Sequence, residues 1–239
     1  REGYSFTGWN TEADGSGVSY ENQEHVDLAG VGESITLYAQ WYKGSVVLLA
    51  ALTDHYTAKD GDVLTGRLGG NYKISIEENA TVTLHNVVIN GVNQSSYRWA
   101  GITCLGNCNI ILNRKNTVKG FQVLYPGIYV PEDKKLTISG TGSLDASSNG
   151  EGTGIGCGYS TSCGSIEING GTIVATGGLY AAGIGGAEEG TVGNIEINGG
   201  TIVATGGQYA AGIGGGYRKT VGYIKICGSD TKVTAIKGE

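Results

Sequence analysis

A right-handed, three-sided parallel β-helix is the fold class that residues 62–239 predict, and three observations predict it. The first is a near-exact internal duplication. Residues 166–193 read IEINGGTIVATGGLYAAGIGGAEEGTVG, and residues 195–222 repeat that pattern at an offset of 29. The second is a set of apolar columns that run through weaker copies upstream. One column holds Ile74, Ile102, Ile128, Ile155, Ile184 and Ile213. Another holds Val82, Ile110, Leu136, Ile166, Ile195 and Ile224, each followed two residues later by Leu84, Leu112, Ile138, Ile168, Ile197 and Ile226. A third is read as Val88, Val118, Leu144, Ile173, Ile202 and Val233. The third observation is local. Each unit contains short period-2 stretches such as I-E-I, T-I-V-A-T and A-G-I-G between turn residues, and no segment sustains a 3.6 period.

Each element follows from the need to bury those columns. A single coil has nothing to cover its aliphatic residues, whereas coils stacked at about 4.8 Å pair every strand with its copies above and below. The steps along the second column, 28, 26, 30, 29 and 29 residues, give about six coils. Asn113, Asn169 and Asn198 follow the last inward residue of the first strand, where Asn tolerates a left-handed conformation and can stack its amide on the next coil. Gly183, Gly185, Gly212 and Gly214 flank inward Ile184 and Ile213, which suits either a tight corner or a bare docking strip. Residues 42–61 are read as a linker and N-terminal cap, with the apolar run Val46 to Leu52 covering the open end.

Composition narrows the class. There are 44 Gly but only 2 Pro, which excludes collagen and a disordered Pro/Gly tract. A formal charge of -6 argues against nucleic acid or an anionic membrane surface as partner. The longest apolar run is seven residues, well short of a membrane span. The chain contains no Met, so a segment of a longer protein is expected, with targeting signals elsewhere.

Two stretches resemble known families. Residues 1–41 contain Gly3, Tyr4, Phe6, Gly8, Trp9, Tyr20 and the closing Leu37-Tyr38-Ala39-Gln40-Trp41. They resemble the C-terminal half of the internalin-type B-repeat, or Listeria–Bacteroides repeat. GDVLTGRLGGNYKISIEENATVTL, YRWAGITCLGN, YPGIYVPEDKKLTISGTGSL and the AAGIGG units resemble the glycine-rich β-helix repeats of large bacterial surface proteins. The resemblance implies an extracellular or cell-surface location and a β-rich appendage at residues 1–41. It implies no particular chemistry, because fold does not fix function.

Catalysis is not expected. Pectin hydrolases of similar shape carry Asn-Thr-Asp, Asp-Asp, Gly-His-Gly and Arg-Ile-Lys stretches, and none occurs here. His25, His55 and His85 are far apart in sequence, and no column pairs two acids across a scissile bond. Glu167 and Glu196 stack with Lys225 next in line, a solvated ladder by preference over a cation site. No cofactor and no metal site is expected. Cys104 and Cys157 share an inward column two coils apart, too far to bridge. Cys104–Cys108 or Cys157–Cys163 could staple a corner, but inward parity and an odd count of five favour unpaired buried thiols.

Aromatic residues are the functional lead. Tyr180 and Tyr209 hold equivalent turn positions, and Tyr97, Trp99 and Tyr125 precede the same strand in earlier coils. Rings along one edge form a surface on which sugars stack, with Arg98 and Gln208 as hydrogen-bond partners; mutual packing of the rings is the alternative. The expected function is a non-catalytic, adhesin-like segment contacting a glycan or other surface polymer. A structural spacer or end-to-end self-assembling subunit comes second, and a polysaccharide-degrading enzyme third.

Overall fold

The computed structural model describes residues 4–13, 15, 17–20, 24, 25 and 34–238. Nearly all regular structure is β, and the long ladders are parallel. Residues 46–238 wind as a parallel β-helix of about six turns. Three ladders run along it. The first contains Cys108–Asn113, Lys135–Gly140, Ser165–Ile168, Ile195–Ile197 and Ile224–Ile226. The second contains Lys115–Lys119, Ser143–Ser147, Thr172–Thr176, Thr201–Thr205 and Lys232–Ile236. The ten-residue strand Thr81–Asn90 feeds both. The third, here the glycine ladder, is seven strands deep and includes Ile74–Ile76, Ile102–Cys104, Ile128–Tyr129, Ile155–Gly156, Ile184–Gly185 and Ile213–Gly214.

The glycine ladder is in the expected register. Ile74, Ile102, Ile128, Ile155 and Ile184 are fully buried and each lies opposite the next. Elsewhere the register differs from the sequence reading in two places. In the first ladder Leu136 lies opposite Cys108, and Ile110 opposite Ile138, a slip of two residues. A slip of two keeps every side chain on its face, so the core survives it. In the second ladder Val88 points outward, while Val87 and Ile89 are buried. Asn116 occupies the inward slot opposite Leu144, with Val118 opposite Ala146.

Asn116 is fully buried yet satisfied. Its Oδ1 accepts from Val87 N at 2.9 Å, and its Nδ2 donates to the carbonyls of Asn113 and Ser143 at 3.1 and 3.0 Å. It therefore ties three successive coils at a corner where aliphatic residues would leave backbone groups unpaired.

Parallel pairing begins at residue 46, earlier than residue 62. Val46–Leu48 pairs with Val63–Arg67, and Tyr56–Ala58 with Ile74–Ile76. Between them a short 3-10 turn, Leu49–Ala51, buries Leu49 against the core. Asp62 anchors this first coil, accepting from the Tyr56 hydroxyl at 2.7 Å and from Lys59 N at 2.9 Å. Burial and that hydrogen bond push the Tyr56 phenol up to about 12.

The glycines of the third ladder are buried, which removes the docking-strip reading. Gly156, Gly185 and Gly214 have φ of 141°, 127° and 131°, and a Cβ on Gly185 would collide with the Gly214 carbonyl. Close coil stacking, rather than a bare outer face, requires glycine there.

The asparagine row is half as expected. Asn198 Nδ2 donates to Asn169 Oδ1 at 2.9 Å, so the amides stack. The left-handed conformation, however, falls on Arg114, Gly171 and Gly200 further along the turn. Glu167 and Glu196 pair in register with Lys225 beyond. Glu167 is neutralised mainly by Lys135 from the preceding coil, which with Asn169 holds its carboxyl below the usual range.

One cysteine expectation is overturned. Cys104 and Cys108 form a disulfide across a Cα–Cα distance of 6.3 Å, the strand end and the next strand start meeting at a corner. Cys157 and Cys163 are buried free thiols that both face the Gly185 carbonyl, at 3.6 and 3.2 Å. The hydrogen bond shared with Cys157, together with burial, pushes the Cys163 thiol well up.

Tyr4–Asn10 pairs antiparallel with Tyr38–Lys43 and Ser19–Tyr20 in a separate small sheet. Phe6 contacts Trp9 and Trp41, with ring centroids 5.3 Å apart in each case. Gly3 lies outside the described residues.

Candidate functional site

The strands of the glycine ladder are two or three residues long, so loops on either side of them fold over its outer face. Strand parity sends Thr103 and Tyr129 outward there, opposite one another. In the next coil the equivalent position is Gly156, then Gly185 and Gly214. Side chains thus stand on this face only in the earlier coils. The loop after Ile155–Gly156 turns back, and Tyr159 N donates to the Leu124 carbonyl at 2.9 Å.

The result is a pocket of about 270 Å³. It is lined by Thr103 and Tyr129 from the ladder, by Arg98, Trp99, Ala100, Leu124 and Tyr125 from the preceding loops, and by Gly158, Tyr159 and Thr161 from the returning loop, with Lys73 completing it. Four aromatic rings and two cations meet, and no carboxylate is in the lining.

Trp99 is held in place by its neighbours. Its ring contacts His55 at 5.1 Å, Tyr97 at 5.3 Å and Phe121 at 5.7 Å, all tilted or edge-on. Phe121 is buried. His55 is fixed in turn, because its Nδ1 accepts from Lys73 N at 2.8 Å. The buried Trp99 Nε1 has no acceptor among the described residues. Burial pushes the Tyr129 phenol up from a range in which it is already protonated at physiological pH.

The site residues read from the sequence therefore divide. Arg98 and Trp99 line the pocket; Tyr97 packs beside Trp99 and is absent from the lining. Tyr180 and Tyr209 form a separate cluster, stacked at 6.1 Å and 12°. Both have positive φ, 64° and 61°, at the same point of the repeat. Tyr217 joins them at 5.4 and 5.9 Å, and Arg218 lies 4.9 Å over its ring. Gln208 is exposed beside Tyr209. These rings pack on one another and are not part of the pocket around Trp99.

Lys73, Tyr129 and Tyr159 were missed by sequence reasoning. The signals existed: Tyr129 is the outward neighbour of Ile128, and Tyr159 stands one and two repeat lengths before Glu188 and Tyr217. Among the described residues no three His, Cys, Asp or Glu side chains gather as a metal site. No helix among them is long and apolar enough to cross a membrane.

Fold and pocket together define a parallel β-helix repeat segment with an aromatic, cation-bearing pocket. Residues 136–159, 166–188 and 195–217 match the β-helix repeat, and residues 1–40 match the Listeria–Bacteroides repeat domain. Two proteins of Evansella cellulosilytica are similar over short stretches. One, named "Putative membrane protein", is 42% identical over 57 residues, 24% of this chain and 8% of its own length. The other, named "Putative Gly-rich membrane protein", is 54% identical over 41 residues, 17% of this chain and 4% of its own length. The matches thus span a small part of much longer proteins. No solved structure gives a significant match.

Proposed function

We propose that this chain is a non-catalytic, adhesin-like segment of a bacterial cell-surface protein and that it contacts a glycan through the pocket around Trp99. The observation that carries the reading is the pocket itself, in which Trp99, Tyr125, Tyr129 and Tyr159 surround a cavity sized for a sugar ring or two. Aromatic faces stack on the apolar faces of sugars, and a few fixed donors set their orientation. An extracellular location is supported by the Listeria–Bacteroides repeat and by relatives whose names place them at a membrane.

A glycan array probed with the chain and with Tyr159→Ala is the test. Binding to a defined set of glycans, weakened about tenfold by the substitution, is expected from the loss of one well-placed aromatic contact. Absence of binding to every glycan, or undiminished binding by Tyr159→Ala, would sink the proposal.

A structural role is the second reading. In the coil of Ile224–Ile226 and Lys232–Ile236, residues Ile224, Ile226 and Ile236 are 42%, 51% and 46% exposed, an apolar edge that a further coil of the same protein or of a second copy would cover. Sedimentation as a monomer from micromolar to millimolar concentration would count against self-assembly through it.

A further inference from the structure

From the charges on the pocket we infer that its ligand is an acidic saccharide, one bearing the carboxylate of a uronic acid unit; this rests on the glycan reading and narrows it. Lys73 and Arg98 both line the pocket, yet neither forms an ion pair among the described residues. The ion pairs found there are Lys134–Glu78 and Lys135–Glu167, both away from the pocket. The Arg98 side chain makes one long hydrogen bond, from Nε to the Ser95 carbonyl at 3.4 Å, which leaves its terminal nitrogens for a ligand.

Two uncompensated cations beside one cavity stand out in a chain whose formal charge is -6. Other lysines and arginines among the described residues also lack ion pairs, so what sets this pair apart is its place in the lining of an aromatic cavity that holds no carboxylate. A neutral sugar would use the rings and leave both cations idle. A uronate uses everything present: its ring faces stack on Trp99 and the tyrosines, and its carboxylate takes a forked contact from Arg98 and a point charge from Lys73. The Tyr129 phenol, which lines the same cavity, can donate to a ring hydroxyl or the carboxylate.

Calorimetry with a galacturonate decasaccharide, a neutral galactose oligosaccharide of equal length and a glutamate decapeptide separates the alternatives. The galacturonate is expected to bind at least about tenfold tighter than the neutral sugar, and more weakly as salt rises. Lys73→Gln and Arg98→Gln should each weaken it about tenfold and weaken any neutral-sugar binding by a clearly smaller factor, while Lys73→Arg retains most of it. Both side chains reach solvent, so folding is not at stake, and a thermal melt of each variant confirms that. Equal binding of the neutral sugar, or indifference to both neutralising variants, overturns the inference and leaves the glycan reading standing. Binding of the glutamate peptide as tight as galacturonate overturns the saccharide assignment. Silence toward these sugars and toward a full glycan array removes the inference and the glycan reading together.

Discussion

At the scale of single residues, the side chains that matter most are polar or missing. Asn116 has its amide hydrogen-bonded to groups on three coils, and no aliphatic residue could replace those bonds. Asn116→Ala strands a buried N–H and several carbonyls, so a loss of about 2–4 kcal/mol is expected in urea unfolding. Substitution of half-buried Asn109, whose Nδ2 donates only to the Thr81 hydroxyl at 3.3 Å, should by contrast cost far less. Glu167 gives a pH signature. Its folded-state pKa lies below its unfolded value of about 4.5 because Lys135 and Asn169 favour the carboxylate. Its contribution is therefore present above that value and is lost as pH falls through the depressed one. The urea midpoint should decline less on acidification in Lys135→Gln than in the unaltered chain, since the substitution removes the cause of the depression.

At the scale of strands and coils, the columns were legible because each aliphatic position repeats at a nearly fixed step and lies between small or polar residues. Ile184 and Ile213 show this best: glycines on both sides leave one possible inward residue. The reading failed where the pattern carries no such contrast. Thr81–Asn90 has Val87, Val88 and Ile89 in a row, so composition could not say which point inward, and the buried polar Asn116 concealed the correct phase. Around Cys108 the slip of two arose because a cysteine fills a column otherwise made of aliphatic residues. The pocket was half legible, since Arg98 and Trp99 sit in one short loop, whereas Tyr159 arrives from a loop that folds back from the next coil. Ile184→Asp tests the stacking directly. An unpaired charge in that column should cost about 4 kcal/mol or more and melt its neighbouring coils together. Hydrogen exchange should then accelerate from the coil of Ile155 to that of Ile213, and acceleration confined to one loop would contradict the ladder.

At the scale of the whole molecule, the β-helix acts as a rigid rod that brings loops from different coils to fixed spacings on one face. Where the outward positions of the glycine ladder are Gly156 and Gly185, backbone of the next coil lies close against them; where they are Thr103 and Tyr129, a cavity opens. The proposed function places binding in the pocket around Trp99 and not on the Tyr180–Tyr209 stack. Three indole N–H groups, those of Trp9, Trp41 and Trp99, report on this in a nitrogen–proton NMR spectrum. The measurement is a titration with a glycan that the array shows to bind, the resonances being assigned by single Trp→Phe substitutions. Trp99 Nε1–H, which has no acceptor among the described residues, should shift progressively with saturation while Trp9 and Trp41 hold still. Undiminished binding with Trp99 unmoved would place the glycan elsewhere and contradict the assignment.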